Sequence, residues 1–339
     1  MKKLFALLLM LLLLPSVVCA QHAGIFLYGE QHAVEAILQK ELEVWQSYYQ
    51  SGMRHLFVEL PYYTAQYLNR WMQDDNDRIL DTVYGEWQGT AMYSADVKAF
   101  YLSLKETCPE TVFHGTDVGH QYNTTGERYL MELEALGLSE TQEAQLTREV
   151  IAQGKHYYET GDDAYRENMM TENFARAFDS LGKPVMGIYG SAHTALYALN
   201  HTGTVYNMAT QLLERYGDAV SSVDLSPYAL NVEPIREERI AIHGKEYRAL
   251  YYGAQDISAW AAPYMSRAFW QIEDAYADFS GMPTNGNVLP YDNYPMPVEA
   301  GDVFVIDYTL ADGSVDRQYY RHDGGTWNGK ATTVQFVIP

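Results

Sequence analysis

Short apolar runs alternate with longer segments of helical periodicity through the first two thirds of the chain. The runs have the length of buried strands, and the segments between them repeat apolar residues every three or four positions. Because strands that alternate with helices pair in parallel and are covered on both sides, this pattern predicts an α/β fold with a mainly parallel central sheet and helices on both faces. The clearest strand candidates are residues 24–28, 55–59, 111–115 and 185–189.

The segment between the third and fourth strand candidates is almost continuously helical in pattern. Residues 127–181 keep the helical period, with breaks at Gly137-Leu138-Ser139 and near Gly161. We expect this segment to form a helical layer or cap. A further strand is predicted over residues 219–225.

The pattern changes near residue 238. Residues 301–308 and 315–321 alternate in the manner of strands around the turn Asp312-Gly313, residues 261–279 are predicted to form one helix, and residues 281–297 to form a loop. The predicted organisation is an α/β domain over residues 21–238 and a smaller β-rich C-terminal region with one helix over residues 239–339. The alternative is a tail that extends the first sheet.

The first 20 residues have the features of a secretory signal peptide: two lysines, an apolar run over residues 4–14 and a small-residue site that ends at Ala20. The run is shorter than the roughly 20 residues that span a bilayer. We therefore expect a secreted or periplasmic protein without a membrane span after cleavage. A lipid anchor at Cys19 is the less favoured alternative, since a small residue should precede such a cysteine and Val18 stands there.

The net charge of the chain is −21. A surface of this sign repels nucleic acid and anionic lipid, which argues against a nucleic-acid partner and a peripheral membrane role. After cleavage only Cys108 would remain, so neither an intramolecular disulfide nor a zinc site of clustered cysteines is expected.

Glycines, acids and histidines follow the predicted strands. Ligands of open parallel sheets bind at the carboxyl ends of the strands, so residues at these positions are expected to meet. Either Gly-x-x-His motif alone is a weak signal, but two copies at equivalent strand ends predict a functional pocket. The strands lead into Gly29-Glu30-Gln31-His32, Glu59, Thr116-Asp117 and Gly190-Ser191-Ala192-His193.

These residue types permit two kinds of chemistry. If the first two strands are neighbours, Glu30 and Glu59 lie close together and shift each other's proton affinity, which suits general acid–base catalysis. His32, His193 and Glu59 would also serve as ligands for a divalent metal such as Mn, Fe or Zn. Asp117 is a candidate for substrate binding, with a turn or helix-cap role as the alternative.

Arg166 and Asn173 share a helical face with Met169 and Met170. Polar groups on an apolar stripe are costly to bury unless they are paired. Arg166 is expected to hold a substrate anion or to pair with one of the strand-end glutamates, and Asn173 to contact the substrate. A purely structural ion pair is the alternative for Arg166.

The motifs resemble those of the superfamily that joins erythromycin esterases, ChaN haem-uptake proteins and Tiki/TraB proteins. The resemblance covers roughly residues 24–225 as a pattern and implies an α/β fold with a central pocket. It implies water activation by His and Glu as in the esterases, metal-dependent peptide cleavage as in Tiki, or haem binding as in ChaN. His32 follows Glu30 by two residues where the esterases have three, so macrolide esterase activity is not expected. The resemblance rests on Gly29-Glu30-Gln31-His32, Phe57-Val58-Glu59, the helix from Arg166 to Asn173, and Gly190-Ser191-Ala192-His193.

The sequence therefore predicts a secreted hydrolase of an ester or amide bond in a small-molecule or peptide substrate. His32, assisted by Glu30 or Glu59, would activate a water molecule, while His193 and Arg166 would stabilise the developing oxyanion. In a metal-assisted variant, His32, His193 and Glu59 would hold the ion. The alternative is a haem- or small-ligand-binding protein without catalysis.

Overall fold

The structure, a computed structural model, describes residues 24–258, 261–327 and 330–338. The predicted signal peptide lies outside these ranges. Among the described residues, no helix combines the length and the apolar character that crossing a membrane requires.

A parallel sheet of five strands forms the centre of the first part of the chain, as the pattern predicts. The strand order is β3-β2-β4-β1-β5, and every pairing is parallel. Because β4 lies between β1 and β2, the first two strands are not neighbours, and the condition for a direct contact between Glu30 and Glu59 is not met. The strands are β1 (Ile25–Glu30), β2 (His55–Pro61), β3 (Val112–Asp117), β4 (Val185–Gly190) and β5 (Val220–Asp224).

Helices cover both faces of this sheet. In β2, Leu56 and Val58 enter one apolar core, whereas Phe57 enters the core on the opposite face. The alternation follows from the two-residue period of a strand. The helices are α1 (Glu35–Gln50), α2 (Tyr62–Met72), α3 (Arg78–Glu86), α4 (Ala95–Thr107), α5 (Glu127–Ala135), α6 (Gln142–Thr160), α7 (Asp163–Leu181), α8 (Ser191–Thr194) and α9 (Met208–Tyr216).

The predicted helical segment between β3 and β4 consists of α5, α6 and α7, with breaks where the sequence places them. Gly161 ends α6 in the left-handed conformation (φ 65°), which glycine adopts at little cost. Asp162 then caps α7, because its side chain accepts a hydrogen bond from the backbone N–H of Tyr165. This cap fixes the first turns of α7, where Arg166 and Glu167 lie.

Gly29 lies where α8 crosses the end of β1. A Cβ atom at this position would lie 2.3 Å from Thr194 Oγ1 and 3.1 Å from Ser191 Cα. The glycine of the first motif therefore leaves room for the short helix that contains the histidine of the second.

Gly29→Ala is expected to reduce the free energy of unfolding by about 1–3 kcal/mol, because the added methyl group overpacks this crossing. Gly85→Ala in α3 is the control: its Cβ would meet nothing within 4 Å, so the same change should stabilise the protein by about 0.5–1 kcal/mol. Urea denaturation of both variants measures the difference. Equal effects in the two variants would contradict the packing argument.

The C-terminal region forms a second, antiparallel sheet that begins at Arg236, so it does not extend the first sheet. The strand order is β12-β13-β11-β10-β8-β7-β6, and β9 pairs with β13. The strands are β6 (Arg236–Ile242), β7 (Lys245–Asp256), β8 (Tyr264–Ile272), β9 (Thr284–Pro290), β10 (Val303–Leu310), β11 (Val315–Arg321), β12 (Thr326–Trp327) and β13 (Lys330–Phe336).

Two predictions for this region are wrong. Residues 261–279 are not one helix, since they contain β8 and only the short α10 (Tyr276–Phe279). Strand β8 is central, and it places Phe269 in one core and Trp270 in the other, so it lacks the alternation that identifies a half-buried strand. Residues 281–297 are not all loop, because β9 forms there through pairing with the distant β13.

Candidate functional site

His32 and Glu30 form a hydrogen-bonded pair in the turn after β1. His32 Nδ1 lies 2.8 Å from Glu30 Oε1, and 40% of the His32 side chain is exposed. Ala33 takes a left-handed conformation (φ 60°) that turns the chain here before α1 begins. Partial desolvation of the ring lowers the pKa of His32, but the negative charges of Glu30 and Glu59 outweigh this effect and raise the pKa to about 9.

His193 and Glu167 form a second carboxylate–histidine pair. His193 Nδ1 lies 2.7 Å from Glu167 Oε2, and Glu167 Oε1 accepts the backbone N–H of Met208 at 2.5 Å. Both side chains are buried. Burial lowers the pKa of His193, but Glu59 and Glu167 raise it more, so the net shift is upward.

Glu59, at the end of β2, connects the two pairs. Its Oε1 lies 2.6 Å from Arg166 Nη2, 3.5 Å from His193 Nε2 and 4.0 Å from His32 Nε2. Its Oε2 accepts the backbone N–H of Gly190 at 2.6 Å. Burial raises the pKa of Glu59, but the cationic groups of His193, His32 and Arg166 outweigh burial and lower it to about 2. Glu59 is therefore a carboxylate at neutral pH.

The two Gly-x-x-His motifs pack against each other reciprocally. Gly29 of the first motif makes room for α8, and a Cβ at Gly190 of the second motif would lie 3.3 Å from both His32 Nε2 and Glu59 Oε2. Strand β4 separates Glu30 from Glu59, and the ring of His32 lies between the two carboxylates. Each glycine thus admits side chains of the opposite motif.

Arg166 joins Glu59 to Asp117 at the end of β3. Its Nε and Nη2 lie 3.1 Å and 2.6 Å from the two oxygens of Asp117, which is fully buried. Burial raises the pKa of Asp117, but Arg166 and His120 overcome this effect and hold it well below its usual range. The sequence analysis offered either a substrate anion or a strand-end glutamate as the partner of Arg166. In the structure Arg166 is paired with the strand-end glutamate Glu59.

The sequence analysis missed Glu41, which lies beneath Glu30. Glu41 is 1% exposed and adjoins the same small cavity as Glu30. Burial, together with the negative charge of Glu30, raises the pKa of Glu41 well above the usual range. Glu41 therefore holds its proton more tightly than an exposed glutamate does. Its position on the buried face of α1, four residues before Trp45, is the signal that could have identified it.

Glu41→Gln is expected to stabilise the protein more at pH 8 than at pH 4.5. A raised pKa in the folded state means that Glu41 favours folding below its unfolded value of about 4.3 and opposes it increasingly as the pH rises. Urea denaturation of variant and wild type at both pH values measures the difference. Glu35→Gln, on the exposed side of the same helix, is the control. A difference independent of pH would mean that Glu41 is ionised in the folded protein.

Glu167 was also missed, and Asn173 lies elsewhere. Glu167 precedes the buried Met170 and Phe174 by three and seven residues, so a carboxylate on the apolar stripe of α7 was the available signal. Asn173 exchanges hydrogen bonds with Gln153, two helical turns beyond Arg166. The structure does not bring Asn173 to the histidines.

A cavity of about 230 Å³ opens beside these groups. A larger cavity of about 350 Å³ adjoins Asn173 and His114, but the charged cluster lies at the smaller one. The smaller cavity is therefore the candidate site. Its polar lining includes His32, Glu59, Asp117, His120, Tyr158 and Arg166, and its apolar lining includes Leu60, Pro61, Trp87 and Met92.

Comparison with known proteins finds likeness only at the level of structure. No known family matches the chain, and no curated protein is detectably similar in sequence. An erythromycin esterase, EreC, in its open conformation matches with a TM-score of 0.46 and 11% identity over 65% of this chain and 73% of that chain. ChaN of Campylobacter jejuni, with cofacially bound haem, matches with a TM-score of 0.35 and 12% identity over 60% of this chain and 81% of that chain. A Bacillus cereus protein matches with a TM-score of 0.43 and 15% identity over 65% of this chain and 68% of that chain.

The esterase and ChaN are representatives of two of the groups that the sequence motifs resemble. At these identities and TM-scores the likeness carries no information about activity or ligand.

The predicted metal ligands do not fit a divalent cation in this arrangement. Arg166 binds Glu59 Oε1, the backbone of Gly190 binds Oε2, and the guanidinium charge would repel a cation placed beside it. Within the ranges that the structure describes, no group of three or more His, Cys, Asp or Glu side chains is suited to hold a metal ion.

Proposed function

We propose that the protein is a hydrolase of ester or amide bonds in which the neutral form of His32 takes a proton from the attacking water. The proposal rests mainly on the orientation of the His32 ring. Its Nδ1 is hydrogen-bonded to Glu30, while its Nε2 lies on the side of Glu59, 4.0 Å from Glu59 Oε1. Among the described residues, none forms a hydrogen bond to Nε2. A histidine that is oriented by a carboxylate and exposed to a cavity suits a general base.

Two glutamates support the histidine in different ways. Glu30 fixes the ring and the tautomer, and Glu59 stabilises the imidazolium that forms when His32 takes the proton. Because Glu59 keeps a pKa of about 2, it supplies this negative charge throughout the neutral range.

Arg166 and His193 have unequal access to the substrate. Arg166 lines the cavity, and its Nε and Nη2 are occupied by Asp117 and Glu59. No described residue accepts a hydrogen bond from Nη1, which supports a role for this group in binding a substrate oxygen at the developing oxyanion. His193 is only 6% exposed, so we assign it to the support of Glu59 rather than to substrate contact.

The cavity lining favours a substrate with an apolar group next to the scissile bond. Leu60, Trp87 and Met92 form an apolar wall beside the charged cluster. Apolar walls with a few oriented polar groups are typical of small-molecule sites. This supports a small ester or amide with a hydrocarbon acyl or alkyl part.

The test is hydrolysis of a panel of short-chain esters and anilides by the purified protein, with and without a chelator. We expect turnover of at least one ester class that the chelator leaves unchanged. Loss of turnover with the chelator would contradict the metal-free arrangement, and no turnover of any panel member would contradict the proposal.

Haem titration is the companion experiment, because the sequence left haem binding open. An imidazolium has no lone pair for iron, and the raised pKa of His32 favours that form at neutral pH. We therefore expect no axial ligation by His32. Haem binding that is abolished in His32→Gln, in a protein without turnover, would replace the hydrolase proposal.

A further inference from the structure

Three side chains form a hydrogen-bonded chain along another part of the same cavity. Asp117 Oδ2 lies 2.8 Å from His120 Nε2, and His120 Nδ1 lies 2.6 Å from the hydroxyl of Tyr158. Asp117 is fully buried, whereas 54% of Tyr158 is exposed. The chain thus leads from a buried carboxylate to a phenol that lines the cavity together with His32.

The position of His120 is fixed by its surroundings. The hydroxyl of Tyr63, on α2, donates to the backbone carbonyl of His120 at 2.5 Å, and Gln121 follows in a left-handed conformation (φ 50°). Tyr158 is on α6, a different element. The contact between Asp117 and His120 is local, since the two residues are three positions apart, whereas Tyr63 and Tyr158 reach His120 from two other helices, so the tertiary fold sets the contact with Tyr158.

We propose that Tyr158 is the general acid of this hydrolysis, giving its phenolic proton to the leaving oxygen while His120 gives its Nδ1 proton to Tyr158. This inference rests on the proposed function. Asp117 accepts the Nε2 proton of His120 and so orients Nδ1 towards Tyr158, as a buried carboxylate does for a catalytic histidine. Tyr158 is the catalytic residue, and His120 acts through it.

The proton balance of the reaction closes with two relays. His32 removes one proton from water, and the hydroxide adds to the carbonyl carbon. When the bond between the carbonyl carbon and the leaving oxygen breaks, its electron pair passes to that oxygen, which takes the proton of Tyr158. Solvent then takes the proton from His32 and returns one to His120, so that the products are an acid and an alcohol.

The charges near Tyr158 favour the form that an acid requires. Partial desolvation and the negative charge of Asp117 raise the pKa of Tyr158 above its ordinary value, and they outweigh the opposite effect of Arg166. The phenol therefore keeps its proton at neutral pH. After the phenol has given up this proton, His120 can supply another through the short hydrogen bond.

The test compares two esters of the same acid, an ethyl ester and a 4-nitrophenyl ester. Ethoxide is a poor leaving group that needs protonation, whereas nitrophenolate leaves without it. We expect Tyr158→Phe to lower kcat/KM for the ethyl ester by about 10²-fold or more and to leave the nitrophenyl ester nearly unchanged. His120→Gln should show the same selective loss, to a smaller extent.

Tyr157→Phe is the matched control, since its hydroxyl faces Asp163 at 3.2 Å and it should hydrolyse both esters as the wild type does. Circular dichroism and thermal unfolding of each variant verify the fold. If Tyr158→Phe lowers kcat/KM equally for both esters, or for neither of them, the assignment of Tyr158 is wrong while the proposed function stands. If the wild type hydrolyses neither these two esters nor any member of the panel of esters and anilides, both the assignment of Tyr158 and the proposed function fail.

Discussion

Replacing His32 with glutamine is expected to lower kcat/KM for ester hydrolysis by about 10²- to 10⁴-fold, the usual contribution of a positioned general base. Glutamine keeps hydrogen-bonding capacity near Glu30 but cannot accept a proton at neutral pH. The measurement is steady-state hydrolysis of the nitrophenyl ester, which needs the base but not the acid.

His201→Gln is the matched control for this change. His201 is 53% exposed and lies 3.2 Å from Asp163, so it too is a histidine paired with a carboxylate, but it does not line the cavity. We expect its kcat/KM to equal that of the wild type. Equal losses in the two histidine variants would remove the evidence for a special role of His32.

The same residue sets the pH dependence of the wild type. A base with a pKa of about 9 is neutral in only about 1% of molecules at pH 7, so kcat/KM for the nitrophenyl ester should rise with pH, with its midpoint near pH 9, and level off above it. Glu30→Gln removes one of the charges that raise this pKa, so the rising limb should move towards the ordinary histidine value of about 6.5. A wild-type profile that falls through pH 9 would instead make the imidazolium of His32 an acid.

The clustering of the candidate residues could be predicted because parallel strands end at one edge. Four strand ends supplied His32, Glu59, Asp117 and His193 to one cluster, and this required only the alternation of strands and helices. Which residue touches which could not be predicted. The sequence does not contain the order of the strands, so the insertion of β4 between β1 and β2 changed the expected Glu30–Glu59 contact into a contact through His32.

The two residues that the sequence analysis missed, Glu41 and Glu167, share one property: each is a polar side chain on a helix face whose other residues are mainly apolar. Glu41 and Glu167 are each 1% exposed, and each adjoins a residue that sequence reasoning did find, Glu30 and His193 respectively. Periodicity assigns such positions to a core, and only the fold reveals the partner that makes burial tolerable. The prediction of a helix over residues 261–279 failed for a different reason. This segment contains a central strand with both faces buried, so the apolar–polar alternation that identifies a strand is missing.

The buried charges around Arg166 lead to the prediction with the largest effect on stability. Arg166→Met is expected to reduce the free energy of unfolding by about 3–5 kcal/mol, because it leaves the carboxylates of Glu59 and Asp117 buried without their common cation. Arg166→Lys should recover only part of this, since a single ammonium cannot reproduce the forked contacts of a guanidinium to two carboxylates. Urea denaturation at pH 7 measures both variants.

Arg215→Met is the control for the loss of an arginine. Arg215 also contacts two carboxylates, Glu172 and Asp179, but 42% of its side chain is exposed, so its removal should cost at most about 1 kcal/mol. A loss in Arg166→Met no larger than in this control would mean that water or rearrangement compensates Glu59 and Asp117, and the electrostatic account of the site would fail.

The pH dependence of the Arg166→Met defect separates electrostatics from packing. The lowered pKa of Glu59, about 2, stabilises the wild type above the unfolded value of about 4.3, and this contribution is lost as the pH falls through 2. In Arg166→Met the carboxyls lose their cation and take up protons more readily, so the defect should shrink between pH 7 and pH 3. A defect of constant size over this range would identify the lost contacts of the arginine side chain, rather than its charge, as the cause.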